Sequence, residues 1–384
     1  MTADGPGEDQ TAPDGASWLH RLYRFETGVA RDGPPPGDSG QSDRHVPRAA
    51  GSAPQSPVDQ SRYADPQPSE IGRTQPTTES DSTASPLLRA IRREADFTDV
   101  RVVGSPTVHP YGRTARAAVD SDVERLRVSL RLFRRPEADQ GGFASALATQ
   151  LERWADASGA LGIVPVLDRA TSPRPWACTA PLGPRLREIE PGSIASALRD
   201  ARDLAGALGT LHDRGIVHAG LDPDTVVFHT DPDSGAARPR LDVPGLLDVY
   251  RRYADPATIL DPRFAPPEFY DADRGVLDRT TDVYGFGAVL FTLLTGRPPY
   301  DGDPATLRDA ILSDWVPVPS SVAPRVPEAV DDLVVRAMQP AKFDRFETAE
   351  ALLAAVEEVC RRFLEAEYRH PLSTTRPREW RGPE

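Results

Sequence analysis

Residues 216–228, reading IVHAGLDPDTVVF, decide how the rest of this chain is read. The stretch opens on the apolar pair Ile216 and Val217 and passes through His218 into a loop carrying Gly220, Asp222, Pro223 and Asp224. It closes on Val226, Val227 and Phe228, a run of β-branched and aromatic residues that predicts a short strand. Upstream, Ile194, Leu198, Ala201, Leu204, Leu208 and Leu211 recur at helical spacing. A helix over 194–213 should therefore deliver the chain through Gly215 into the loop. Downstream, a turn rich in Pro, Asp and Gly returns the chain into Arg240, Leu241, Asp242 and Val243.

These letters resemble the catalytic loop of the Ser/Thr protein-kinase family, His-Arg-Asp-Leu-x-Pro-x-Asn. His218, Leu221 and Pro223 keep the frame, and His218 is expected to support the loop rather than react. Ala219 stands where the family has Arg, Gly220 where it has the catalytic Asp, and Thr225 where it has the metal-binding Asn. The segment 240–246 resembles the strand that ends in Asp-Phe-Gly. Anchoring on Gly245 puts Val243 at the magnesium ligand and Pro244 at the Phe. Asp242 then sits one residue early, where strand alternation would turn it to the opposite face, and is the remaining metal candidate.

Beyond it, FAPPE at 264–268 is similar to the Ala-Pro-Glu signature that closes an activation segment. Tyr250, Tyr253 and Thr258 are that segment's hydroxyls, and Asp261 stands at its usual Thr. TDVYGFG at 281–287, followed by AVLFTLLTGRPPY, resembles the central buried helix of the family, ended by Gly296. The resemblance implies that Asp282 holds the loop's backbone and that Glu268 and Arg345 form a buried ion pair. It covers about 86–368 and is most specific in the large lobe.

The implied fold is α+β and bilobal, protein-kinase-like: a small antiparallel β lobe over 86–180 and a mainly α-helical large lobe over 181–368. In the small lobe a helix is expected over 87–94 and strands over 97–103, 114–119, 126–133, 163–167 and 175–179. A nucleotide-covering turn needs closely spaced glycines. Here Gly104 and Gly112 stand eight apart with Pro106 and Pro110 between them, and prolines bring no N–H. Arg131 falls at the lysine of the Val-Ala-Ile-Lys strand. Gln150, in a helix over 143–156, falls at the glutamate that would pair with it. A final helix is expected over 348–368.

At 384 residues the chain exceeds what one core usually needs, so a two-lobed domain with tails fits. A net charge of −13 disfavours nucleic acid as a partner. No apolar run approaches a membrane span, and the N-terminus shows no basic-then-apolar leader, so a cytoplasmic location is expected. Cys178 and Cys360 lie far apart in apolar patterns, in keeping with a reducing compartment. Of the 45 basic residues only Lys342 is a lysine, and it lies far from the small lobe. An acidic, nearly lysine-free chain resembles those of salt-loving archaea, with a GC-rich bacterial genome as the other source.

Residues 1–85 read as a mostly disordered extension. Within it, 16–30 form a short helix with Trp18, Leu19, Leu22 and Tyr23 on one side, and 31–85 a tether poor in aliphatics. The segment 369–384 reads as a polar tail.

Phosphoryl transfer needs a metal to neutralise the phosphates, a Lys to orient them and an Asp to accept the proton. Arg131, Gln150, Gly220, Thr225 and Val243 occupy those positions. No catalytic residue, metal or cofactor is expected, and the reading is a pseudokinase that serves protein partners as a signalling scaffold or allosteric regulator. Two alternatives stand beside it: a divergent kinase that uses ATP and Mg through Asp222, Asp224 or Asp242, and a sensor that binds nucleotide without transferring phosphate.

Overall fold

The computed structural model describes residues 99–120, 125–136, 142–171, 174–230, 235–254 and 258–369. The expected helices at 16–30 and 87–94, the tether at 31–85 and the tail from 370 onward lie outside them.

The small lobe is an antiparallel sheet of five strands in the order β1-β2-β3-β5-β4: β1 Asp99–His109, β2 Gly112–Asp120, β3 Arg125–Phe133, β4 Val166–Ala170 and β5 Trp176–Thr179. Alternation sorts its residues. Val100, Ala117, Val119, Leu126, Val128 and Leu130 join Trp176 and Cys178 in a small core of their own. Helix α1, Phe143–Ala157, packs at the sheet's other end through Phe143, Leu147, Leu151 and Trp154, all buried. The Trp154 indole donates to Val164 O at 2.8 Å, so this large side chain is buried without stranding its N–H.

Two strands depart from expectation. β1 does not stop before Gly104 but runs on to His109, with a register shift between Val103 and Thr107. Gly104 has φ +76°, which lets the strand bulge, and Pro106 sits inside the bulge where no ladder N–H is required. β4 begins at Val166 instead of Ile163 because Val164 N–H donates to Leu241 O, which draws that stretch toward the large lobe.

The large lobe follows the expected order: α2 Ile194–Asp213, the hairpin β6 Val226–Thr230 with β7 Ala237–Leu241, and α3 Leu246–Tyr250. Then come α4 Arg279–Thr295, α5 Pro304–Leu312, α6 Glu328–Ala337 and α7 Ala349–Arg369. Asp278 caps α4 by accepting from Thr280 N and Thr281 N, and Gly296 ends it in the left-handed conformation. Between these caps α4 is apolar on nearly every face and is the axis of the main core, with Val283, Phe286, Val289, Leu290 and Leu293 buried. Side chains of this size contribute about 1.5–3 kcal/mol each on burial. The axis also fixes the position of Asp282 beneath the loop that follows α2.

Candidate functional site: the cleft between the lobes

The loop is held from below. Asp282, 1% exposed, accepts from His218 N at 2.8 Å and from Ala219 N at 2.7 Å, and its Oδ2 lies 2.8 Å from His212 Nε2. The His218 ring is buried with Nε2 3.0 Å from Asp242 O, and burial lowers its pKa. Among the described residues, Ala219 (φ +65°) and Val243 (φ +50°) are the non-glycine residues with positive φ, and both lie in this site. Such strain persists only where surrounding contacts over-determine it.

Gly220 is packed against by an apolar side chain. A Cβ built there would lie 2.9 Å from Leu247 Cδ2 and 3.0 Å from Leu247 Cβ, so any larger residue must displace Leu247. Leu247 belongs to α3, the first turn of what the sequence resemblance makes an activation segment. Thr225 is tied into the loop: its hydroxyl is 3.0 Å from both Gly220 O and Asp222 O and accepts from Asp222 N. Asp222 Oδ1 accepts from the N–H groups of Asp224 and Thr225, closing a local turn. Burial, then repulsion from Asp224, pushes the Asp222 carboxyl up to about 7. Asp224 meets Arg187 through its carboxylate and Arg185 through its carbonyl.

Asp242 is where the structure corrects the strand argument. β7 ends at Leu241, so alternation no longer governs the next residue, and the left-handed Val243 redirects the chain. The Asp242 carboxylate is fully buried and reaches Arg131 Nη2 at 2.5 Å. Arg131, 1% exposed, lies with its guanidinium 5.6 Å from the centre of the Trp154 ring. Burial lowers the Arg131 pKa and Asp242 works against that. Gln150 does not meet Arg131. It is buried, and its Nε2 donates to Pro244 O at 2.9 Å, tying α1 to the segment after β7.

Tyr250, read in sequence as an activation-segment hydroxyl, is also buried. Its OH lies 2.8 Å from Arg134 O and 3.1 Å from Tyr111 O, and its ring meets Tyr111 and Phe143 edge-on at 5.3 and 5.0 Å. Sequence reasoning missed this contact across the lobes, and also Leu247. The one available signal was the apolar run Leu246–Leu247 directly after Gly245.

Gly104 and Gly112 serve the β1–β2 hairpin: the first allows the bulge, and the second lies so close to Leu132 O that a Cβ would sit 2.0 Å from it. Asp261 caps a short turn at Pro262–Phe264 and is bound by Arg263. Burial would raise its carboxyl, but the Arg263 hydrogen bonds outweigh that and hold it low.

Deeper in the large lobe, Glu268 and Arg345 form a two-pronged pair with both N···O distances 2.9 Å and neither side chain exposed. Thr281 donates to Glu268 Oε1 at 2.8 Å.

These residues do not fit a metal-bound triphosphate. The space bounded by Tyr111, Arg131, Asp222, Thr225, Asp242 and Val243 is about 10 Å³, roughly room for one water. Among the described residues no three His, Cys, Asp or Glu side chains gather where a metal could sit.

No family model matches the chain. The fold nevertheless is that of a protein kinase. The crystal structure of the Mycobacterium tuberculosis PknI kinase domain, a double mutant, superposes with a TM-score of 0.51 at 20% identity, covering 69% of this chain and 96% of that one. In sequence the chain is related to Ser/Thr protein kinases. It is 33% identical over 245 residues to the DNA damage-responsive serine/threonine-protein kinase RqkA of Deinococcus radiodurans, covering 60% of this chain and 34% of the relative. It is 27% identical over 179 residues to serine/threonine-protein kinase PknE of Mycobacterium tuberculosis, covering 45% and 30%. The chain thus spans about a third of the length of these curated relatives. Among the described residues no helix is long and apolar enough to cross a membrane.

Proposed function

We propose that this protein-kinase-fold domain is catalytically degenerate and acts as a signalling scaffold or allosteric partner for other proteins. One arrangement carries the reading: the buried Arg131–Asp242 pair fills the site where a triphosphate and its metal would be held, while Leu247 covers Gly220. Arg131 neutralises the carboxylate best placed to take a metal, and Asp242 in turn occupies the buried guanidinium that stands at the family's lysine position. An electrostatic site that is already neutralised internally has little left to offer a charged ligand.

The rival reading, a divergent kinase, draws support from one observation: Asp242 faces the cleft instead of turning away. Its metal role requires Arg131 to release it.

The test is a melting-temperature titration with ATP, with and without magnesium, alongside incorporation of labelled γ-phosphate into the chain or a generic protein substrate. The scaffold reading expects no magnesium-dependent shift at submillimolar ATP and no incorporation. A magnesium-dependent shift together with transfer that disappears in Asp242→Ala would overturn it in favour of the divergent kinase.

A further inference from the structure

Apart from the cleft, the large lobe has a hollow of about 270 Å³ beside the end of α3. Its walls are Glu268, Phe269, Ala272, Val276, Leu277 and Arg251, the residue that follows directly on α3. Phe269 and Leu277 are partly buried and pack on the main core, which makes the floor apolar and holds it in place. Both charged side chains are already engaged: Arg251 with Asp248, and Glu268 with Arg345 and Thr281. The rim is apolar as well. Val276 is 77% exposed, and Lys342, whose ammonium reaches Val276 O, is followed by Phe343 at 89%.

Small-molecule sites run from about 300 to 1,000 Å³ and gather a few unpaired polar groups. A hollow just below that size, with both its charges engaged, fits a large apolar side chain instead. Exposed carboxylates flank it: Asp273 in its outer turn and Asp344 beside Phe343 have no ion pair among the described residues. The matching guest is therefore apolar and cationic. Residues 17–25, SWLHRLYRF, have that chemistry: Trp18, Leu19, Leu22, Tyr23 and Phe25 stand with Arg21 and Arg24 and with no acidic residue, in a chain of net charge −13. Trp18 and Leu22 share one helical face. Length permits the contact, because the 73 residues between Phe25 and Asp99 reach up to about 240 Å when extended. Trp380 in the tail is worse placed. The 21 residues of α7 carry the chain about 30 Å from the Phe343 side, and the eleven that lead on to Trp380 span at most about 36 Å back.

We propose that residues 17–25 of this same chain dock in the hollow, with Trp18 and Leu22 seated against Phe269, Val276 and Leu277, and with Arg21 and Arg24 meeting Asp273 and Asp344. The docking is independent of the scaffold reading, since no polar group of the cleft takes part in it.

The experiment follows amide hydrogen exchange of residues 17–25 in the full chain. Exchange there should be at least about tenfold slower in the wild type than in Val276→Asp or in Trp18→Ala/Leu22→Ala. Val276 is exposed, so its replacement should leave the melting transition cooperative, which separates lost docking from lost fold. A second measurement adds a fluorescent peptide of residues 14–30 in trans. It should bind the full-length Trp18→Ala/Leu22→Ala chain, whose own segment no longer competes, at least about tenfold more tightly than the wild type. Adding Val276→Asp to that chain should abolish the binding.

Equal exchange in all three chains, protection that survives Val276→Asp, or equal peptide binding by wild type and variant would overturn the proposal. So would protection that appears only as concentration rises and the mass in light scattering doubles, which would give the hollow to a second copy. Peptide binding that is released by Trp380→Ala instead of Trp18→Ala/Leu22→Ala would give it to the tail and overturn the proposal equally.

Discussion

Among the described residues two arginine–carboxylate pairs are buried, one deep in the large lobe and one in the cleft between the lobes, and they are built differently. Arg345 meets Glu268 with two prongs and also donates to Gln339 O, Thr280 O and Pro340 O, while its guanidinium lies 5.0 Å from the centre of the Tyr284 ring. Glu268 receives Thr281 in addition. Burial would raise the Glu268 carboxyl, but Arg345 outweighs burial and holds it below its ordinary range. Arg131 meets Asp242 through one nitrogen, and its Nε has no partner among the described residues.

A buried ion pair recovers its desolvation cost only when its remaining donors and acceptors are satisfied. The first pair meets that condition and works as a structural joint. The second is under-satisfied and so offers little net stability.

Breaking the satisfied pair should give the largest effect. Glu268→Ala or Arg345→Ala is expected to cost about 3–5 kcal/mol in chemical denaturation, since either leaves a charge buried without its partner. Losses below about 1 kcal/mol in both would show a pair that behaves as an exposed one.

Next comes a pH effect confined to the cleft. Because burial and Asp224 raise Asp222 to about 7, the folded chain keeps a proton there that the unfolded chain releases near 4. The corresponding stability is full below about 4 and is lost as pH rises through about 7. Asp222→Asn, which stays neutral, should therefore gain up to roughly 4 kcal/mol over wild type at pH 8 and close to nothing at pH 4. A difference independent of pH would show that Asp222 titrates normally.

Smaller again is Tyr250→Phe. It removes the hydroxyl that joins α3 to Arg134 O and Tyr111 O across the lobes, and should lower stability by about 1 kcal/mol. No measurable loss would mean that the ring contacts with Tyr111 and Phe143 do all the joining.

The smallest effect sharpens the contrast itself. Arg131→Met with Asp242→Leu should change stability by less than about 1 kcal/mol in either direction, as apolar replacements of buried pairs often do. A loss comparable to that of Glu268→Ala would erase the distinction between the two pairs.

Much of this was legible before any coordinates. Helical spacing from Ile194 to Leu211 marked α2 to the residue, and the apolar run after Asp282 marked the central helix, because a buried element must repeat apolar positions at the period of its backbone. The lack of any lysine outside Lys342 ruled out a small-lobe lysine from the letters alone. The small lobe was harder. Gly104 and Pro106 suggest a turn in sequence, but ladder bonds on both sides carry β1 through them as a bulge.

What the chain's letters determined by themselves is the set of elements, their order, and which chemical groups are present in the cleft or missing from it. These follow from local periodicity and residue identity, which folding does not alter. Only the tertiary structure decided which groups meet: Asp242 with Arg131, Gln150 with Pro244, Leu247 over Gly220 and Tyr250 beneath the β1–β2 hairpin. Most of these partners lie on different elements, some more than ninety residues apart in sequence. Their meeting depends on how the two lobes close on one another and on a left-handed Val243 that breaks strand alternation, and no spacing rule within one element carries that information.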